Sequence, residues 1–188
     1  MTADAVATTI PGYLAGTWTI DAVHSDVSFS VRHMMVSKVK GRFGSFSGTI
    51  VTAPNALEST VTAEIDLSSI DTNNAQRDEH IRSADFFEVD KNPKMTFTST
   101  SVEGSGTDFV VHGDLTIKGN TKNIPLALEL NGFGPDAYGG IRAGFSASTE
   151  ISRKEFGVDI QMPMDGGGVV IGDKVTVSLE IEAVLNQG

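Results

Sequence analysis

The sequence predicts an all-β protein, an antiparallel barrel or sandwich of about eight strands with one short accessory α-helix. Three observations carry that prediction. Apolar and polar residues alternate with a period of two along most of the chain, as in strands with one face in oil and the other in water. The strands follow one another through turns, without the helical crossovers that parallel pairing requires. A chain of 188 residues with 39% hydrophobic content and a mean hydropathy of -0.03 suits one core better than two.

Residues 1–15 read as an N-terminal extension and 16–188 as a single domain. Thr17 to Ile20 leads into the first full alternation, with Val23, Ser25, Val27, Phe29, Val31 and His33 opposite His24, Asp26, Ser28, Ser30 and Arg32. The next stretch, Lys38 to Val51, changes phase: Phe43 and Phe46 fall on opposite faces, and the glycines at 41, 44 and 48 predict a bulge. Val61, Ala63, Ile65 and Leu67 form a clean third strand. Between it and the next, NAQRDEHIRSADFF contains few β-branched residues and places Asn73 and Gln76 at capping-box spacing, which predicts a helix of two to three turns. Met95 and Phe97 open the following strand. Phe109, Val111, Leu115 and Ile117 lie beyond a Gly104-Ser105-Gly106 turn, and Gly119-Asn120 centres another. Ile124 to Leu130, with Pro125 marking a strand start or a free edge, then Ile141 to Ile151, then Val175 to Leu185 complete the set. Arg153 to Asp173, with Pro163 and Gly166-Gly167-Gly168, reads as loop.

Charge and composition narrow the function. With 14 Lys plus Arg against 24 Asp plus Glu, the net charge of -10 repels phosphate backbones and anionic headgroups, so nucleic acid is not an expected partner. The absence of cysteine excludes disulfides, thiolate nucleophiles and Cys-ligated metals. The opening MTADAVATTIPGYLAG has no basic n-region, and the first Arg or Lys is Arg32; the expectation is a cytoplasmic protein, or a periplasmic or secreted one if the native N-terminus was replaced. No apolar run has the length of a transmembrane helix, and nothing speaks against a homodimer.

The inward faces of the predicted strands are the candidate ligand-binding surface. They comprise Phe29, Val31 and His33; Phe97; Phe109 and Val111; Leu126 and Leu128; Ala143, Phe145 and Ala147; and Val177 and Leu179. Aromatic and aliphatic, with small residues among them, such faces leave room for an apolar cavity. His33 ends an apolar face and either caps a core edge or offers a polar group at a cavity mouth. The four histidines lack the spacing that brings two imidazoles to one metal from a single element, so no metal site is expected. Arg77 and His80 share a helix face, where they either tie the helix to the barrel with Asp85 or touch a ligand.

At WTIDAVHSDVSFSVRHM the chain resembles the polyisoprenoid-binding YceI-like family, and the likeness continues through QRDEHIRSADFFEV, GDLTIKGNTK and SRKEFGVD. The resemblance spans about residues 16 to 185. It implies a lipocalin-like barrel of eight antiparallel strands with a helix beside it, holding a polyisoprenoid, quinone-like lipid or fatty amide in an elongated cavity. It supplies no catalytic residues: His24, Arg77, His80, Asp85, Phe86 and Phe87 match as signature positions only. The expectation is thus a lipid binder or carrier with no cofactor beyond the lipid. The alternatives are an enzyme acting on such a lipid, with His33 or His80 as acid or base, and a ligand-free structural sandwich.

Overall fold

The structure, a computed structural model, describes residues 10–34, 36–158 and 171–187. The strands are β1 (Gly16–Ile20), β2 (Asp26–His33), β3 (Ser37–Phe43), β4 (Phe46–Thr52), β5 (Thr60–Asp66), β6 (Ile70–Asp71), β7 (Lys94–Ser105), β8 (Asp108–Ile117), β9 (Asn120–Pro135), β10 (Ile141–Ser152) and β11 (Ile171–Leu185), with helix α1 (Ala75–Arg82) between β6 and β7. All pairs are antiparallel, in the order β1-β4-β5-β7-β8-β9-β10-β11, and the pairing of β1 with β11 closes the cylinder. Closure removes the free edges of these eight strands, while β3 meets β6 at only two positions, Arg42 and Phe43. Three of the eight staves are broken in two. β1 and β2 both lie along the long β11, β2 pairs with β3 while β1 pairs with β4, and β6 continues β5 to pair with the end of β3. The fold is therefore an eight-stranded antiparallel barrel with one helix.

The breaks account for the differences from the sequence reading. Lys38 to Val51 is two strands rather than one bulged strand. The interruption at Gly44 and Ser45 resets the phase, so Phe43 and Phe46 both pack in the cluster of Val27, Ile65, Leu67 and Ile70. Val23, assigned above to a strand, is 87% exposed in the turn between β1 and β2. The tight turn after β8 is centred one residue earlier than predicted. Ile117 pairs with Asn120 across Lys118 and Gly119, both with positive φ, as a two-residue turn matching the strand twist demands. The N-cap of α1 is Asn74, whose side chain accepts from the Arg77 N–H; Asn73, the predicted cap, instead takes a left-handed conformation before it. Pro125 lies where β9 pairs with β8 beyond the end of its pairing with β10, so a missing N–H is tolerated.

Two ends of the barrel differ. At one, Trp18, Ile50, Phe109, Leu130, Phe145 and Ala183 form a dense core to which Ile10 and Tyr13 add, and the fully buried Trp18 donates its Nε1–H to Thr52 Oγ1 at 2.8 Å. At the other, α1 and the segment after it lie beside the β3–β6 pairing, with Ile81, Phe86 and Phe87 packed onto the two remaining core clusters. This second end is less completely filled.

Candidate functional site

A cavity of about 540 Å³ opens within the second end, a size typical of small-molecule sites. Its wall is built from inward positions of β2, β3, β10 and β11, including Phe29, Val31, Val39, Phe43, Ile151, Val175 and Val177, with Ile81, Phe86 and Phe87 from the helix and the turn after it. Strand alternation supplies the apolar wall. The helix supplies the rest, because it sits where β6 ends after two residues and leaves the side of β3 without a long neighbour.

The polar groups of the wall come from three places: His33 at the end of β2; Thr72, Asn74, Gln76, Arg77 and His80 at the β6–α1 junction; and Arg153 in the 3₁₀ turn after β10. Arg77 is held by Thr72, donating from Nε to Oγ1 at 2.8 Å and from a terminal nitrogen to the backbone carbonyl at 2.7 Å. The Thr72 hydroxyl and N–H in turn donate to the buried carboxylate of Asp78, which locks the helix to the strand. His80 Nε2 lies 3.0 Å from Asp85 Oδ2, and its ring meets Phe86 edge-on at 5.2 Å between centroids. Arg153 is buried and donates to the carbonyls of Gly172, Val158 and Ile171, each at 2.9 Å. Among the described residues of the wall there are two arginines and two histidines, and no carboxylate.

The candidate residues read from the sequence separate by depth. Phe29, Val31, His33 and Val177 line this cavity, as do Arg77, His80, Phe86 and Phe87, while Asp85 stands behind His80. Phe109, Val111, Leu128 and Phe145 face a much smaller void of about 60 Å³ at the Trp18 end. Phe97, Leu126, Ala143, Ala147 and Leu179 point inward but border neither space; they are packed core. Ala143 and Ala147 are buried opposite Ala183 and Leu179 of β11. His24 lies outside the barrel, its Nδ1 2.7 Å from Asp21 Oδ2. The reading from sequence missed Arg153 and Thr72; Arg153 lies within the match SRKEFGVD and Thr72 a few residues before QRDEHIRSADFFEV.

At the Trp18 end, Asp21, His24 and Glu182 bring three would-be metal ligands within 4.8 Å of one another. Arg142 already takes both carboxylates, donating to Asp21 at 2.8 Å and Glu182 at 2.6 Å, and reaches Asp136 at 3.1 Å. Hydrogen bonds from Arg142 and then His24 hold the Asp21 carboxyl well below the usual carboxylate range. The N–H groups of Gly140 and Tyr138 do the same for Asp136. This is a charge network that fastens β1, β10 and β11 together.

Comparison with known proteins agrees with the geometry. A family model described as a YceI-like domain matches residues 18–183. A relative from Photorhabdus laumondii, UPF0312 protein plu2095, is 41% identical over 159 residues, covering 83% of each chain. The crystal structure of Burkholderia cenocepacia BcnA superimposes with a TM-score of 0.75 at 23% identity, over 87% of this chain and 98% of that one. A structure from Saccharophagus degradans, described as a polyisoprenoid binding domain implicated in plant cell wall breakdown, gives a TM-score of 0.69 at 18% identity, over 92% and 100%.

Proposed function

The chain belongs to the YceI-like family, and from that premise and the cavity we propose that it binds and carries a long apolar lipid, with the tail enclosed in the barrel and a hydrogen-bond-accepting head turned to Arg77 and its neighbours. The observation that carries this reading is the hollow itself, about 540 Å³ walled mainly by apolar side chains. Each buried methylene contributes roughly 0.8 kcal/mol, so a single five-carbon isoprene unit contributes about 4 kcal/mol. A few units offset the cost of association with few polar contacts. The polyisoprenoid binding described for the Saccharophagus domain supports the same ligand class. Organic extraction of the purified protein followed by mass spectrometry tests it. The expected result is a co-purifying polyprenol, quinone-like lipid or fatty amide. Delipidated protein that takes up none of these in a titration would overturn the proposal.

One observation favours the rival reading, an enzyme acting on the lipid: His80 lines the cavity and has Asp85 beside it. The binder is preferred because the Asp85 side chain is 69% exposed and no other carboxylate joins the pair from the described wall, whereas acid–base catalysis in such a site needs a shielded, positioned partner. Prolonged incubation of loaded protein decides it. An unchanged lipid mass supports carriage, and a modified lipid that His80→Ala protein fails to produce supports chemistry.

A further inference from the structure

The strongest feature outside the cavity is the β2–β3 hairpin, whose inner face helps build the cavity wall. From Val27 to Leu57 the chain contains no Asp or Glu, yet it carries Arg32, Lys38, Lys40 and Arg42, four of the 14 cations in a protein of net charge -10. All four are exposed on the outer face of the hairpin. Arg32 and Lys38 stand directly opposite one another, an arrangement that destabilises a strand pair. Among the described residues only Arg42 has a carboxylate within reach, Asp71 at 3.9 Å; Arg32, Lys38 and Lys40 have none. The hairpin also turns through apolar residues in water: Val36 is 87% exposed and Met34 is 42% exposed. A single exposed valine needs no explanation. An apolar tip at the end of a stripe of like charge, three of its four cations without a carboxylate in reach among the described residues, has the two elements that bind an anionic bilayer, one to insert and one to attract.

We propose that the protein docks on anionic membrane surfaces through the β2–β3 hairpin, with Met34 and Val36 entering the interface and Arg32, Lys38, Lys40 and Arg42 meeting lipid phosphates. The same strands turn Val31, His33 and Val39 inward to the cavity, so the docked face and the cavity wall are two sides of one element. Part of the acidic charge stands apart from the hairpin tip, although Asp71 and Asp173 lie nearer to it. The Asp21, Asp136 and Glu182 network and the facing pair Asp26 and Glu180 lie toward the start of β2, away from the hairpin tip. Screening over roughly 8 Å at physiological salt lets the near face dominate the total charge. The proposal rests on the lipid-carrier reading for its purpose but not for its geometry.

Co-sedimentation of the full chain with vesicles tests it. Vesicles of equimolar phosphatidylcholine and phosphatidylglycerol are expected to bind the protein at low salt, pure phosphatidylcholine vesicles are expected to bind it far less, and added salt should release it. Each charge removed by Lys38→Gln or Lys40→Gln should weaken binding about fivefold, and Val36→Asp should weaken it as well, whereas Lys118→Gln with Lys122→Gln should change nothing. Lys38→Gln should leave the melting temperature unchanged or raised, since it relieves the facing Arg32. Equal binding to both vesicle types, or binding insensitive to the hairpin substitutions, would overturn the proposal; so would salt-sensitive capture by duplex DNA as strong as by the anionic vesicles. Retained uptake of lipid from detergent by the hairpin variants separates loss of docking from loss of the carrier function.

Discussion

Replacing Gly113 with alanine tests the packing of the barrel against its hollow part. Gly113 faces inward on β8, and a methyl group there would lie 2.2 Å from Phe97 Cζ and 2.5 Å from Cε2. Phe97 is buried and lines neither of the two cavities described above, so the ring is expected to regain a contact distance near 3.4 Å by displacing its neighbours. Overpacking of this kind destabilises by about 1–3 kcal/mol, while removing a strand glycine returns roughly 0.5–1 kcal/mol. The net loss is centred on about 1 kcal/mol, a fall in melting temperature of roughly 2–4 °C for a chain of this length. Gly41→Ala makes a matching clash, 2.5 Å from Phe29 Cζ, but Phe29 lines the large cavity and can swing into it; the other close atom, Thr72 Cγ2 at 2.9 Å, has to give by only about 0.5 Å to reach an ordinary contact. Its expected destabilisation is below about 1 kcal/mol. Lipid affinity should instead fall about tenfold, the equivalent of about two methylenes of lost contact. Thermal melts of delipidated protein and lipid titrations read both variants. A Gly113→Ala protein as stable as wild type, or a Gly41→Ala protein destabilised as much as Gly113→Ala, would refute the division between core and cavity.

Ala147→Phe, on packed β10, is expected to lower stability by about 1–3 kcal/mol with little direct effect on lipid affinity, checked by the same pair of measurements. Asn74→Ala removes the helix cap and should cost about 1 kcal/mol in a denaturant titration. Arg153→Lys should not restore what Arg153→Ala loses, because one ammonium cannot copy the fork that serves three carbonyls; urea midpoints compare the two. Asp21 and Asp136 have depressed folded pKa values, so they bind protons more weakly folded than unfolded. Their stabilisation is fully present above the unfolded value near pH 4 and is lost as pH falls toward the folded one. Melting temperature should therefore hold steady above about pH 5 and drop below about pH 4, and Arg142→Met should flatten that drop.

The class of fold was legible because alternation is a local property. Phe109, Val111, Leu115 and Ile117 declare their face with no knowledge of the partner strand, and all four are buried. The breaks at Gly44–Ser45 and between Ile20 and Asp26 were not legible. They depend on which half-stave pairs with which neighbour, and that is decided by β11, more than a hundred residues away in sequence. The site was legible in part for the same reason. Alternation reports inward or outward but not depth, so Val177, which borders the cavity, and Leu179, which is packed, look alike two residues apart. What separates them is the placement of α1, held by Thr72, Asp78 and Arg77. Arg153 was hidden by a different circumstance: its partners are backbone carbonyls, which leave no trace in a sequence.

The seam that closes the barrel has a consequence for how the chain comes to be folded. β7 to β10 are joined by short turns and can zip up from local contacts, a comparatively fast process. Trp18 must find Leu185, and Val27 must find Leu179, across most of the chain. On a ribosome, the N-terminal strands of the barrel therefore wait for β11, the last of these strands in chain order, with unpaired edges exposed meanwhile. The hazard is greatest for β2, whose inner face carries Val27, Phe29 and Val31. The cations along its outer face and on β3 then keep nascent chains apart before they have any part in the finished barrel.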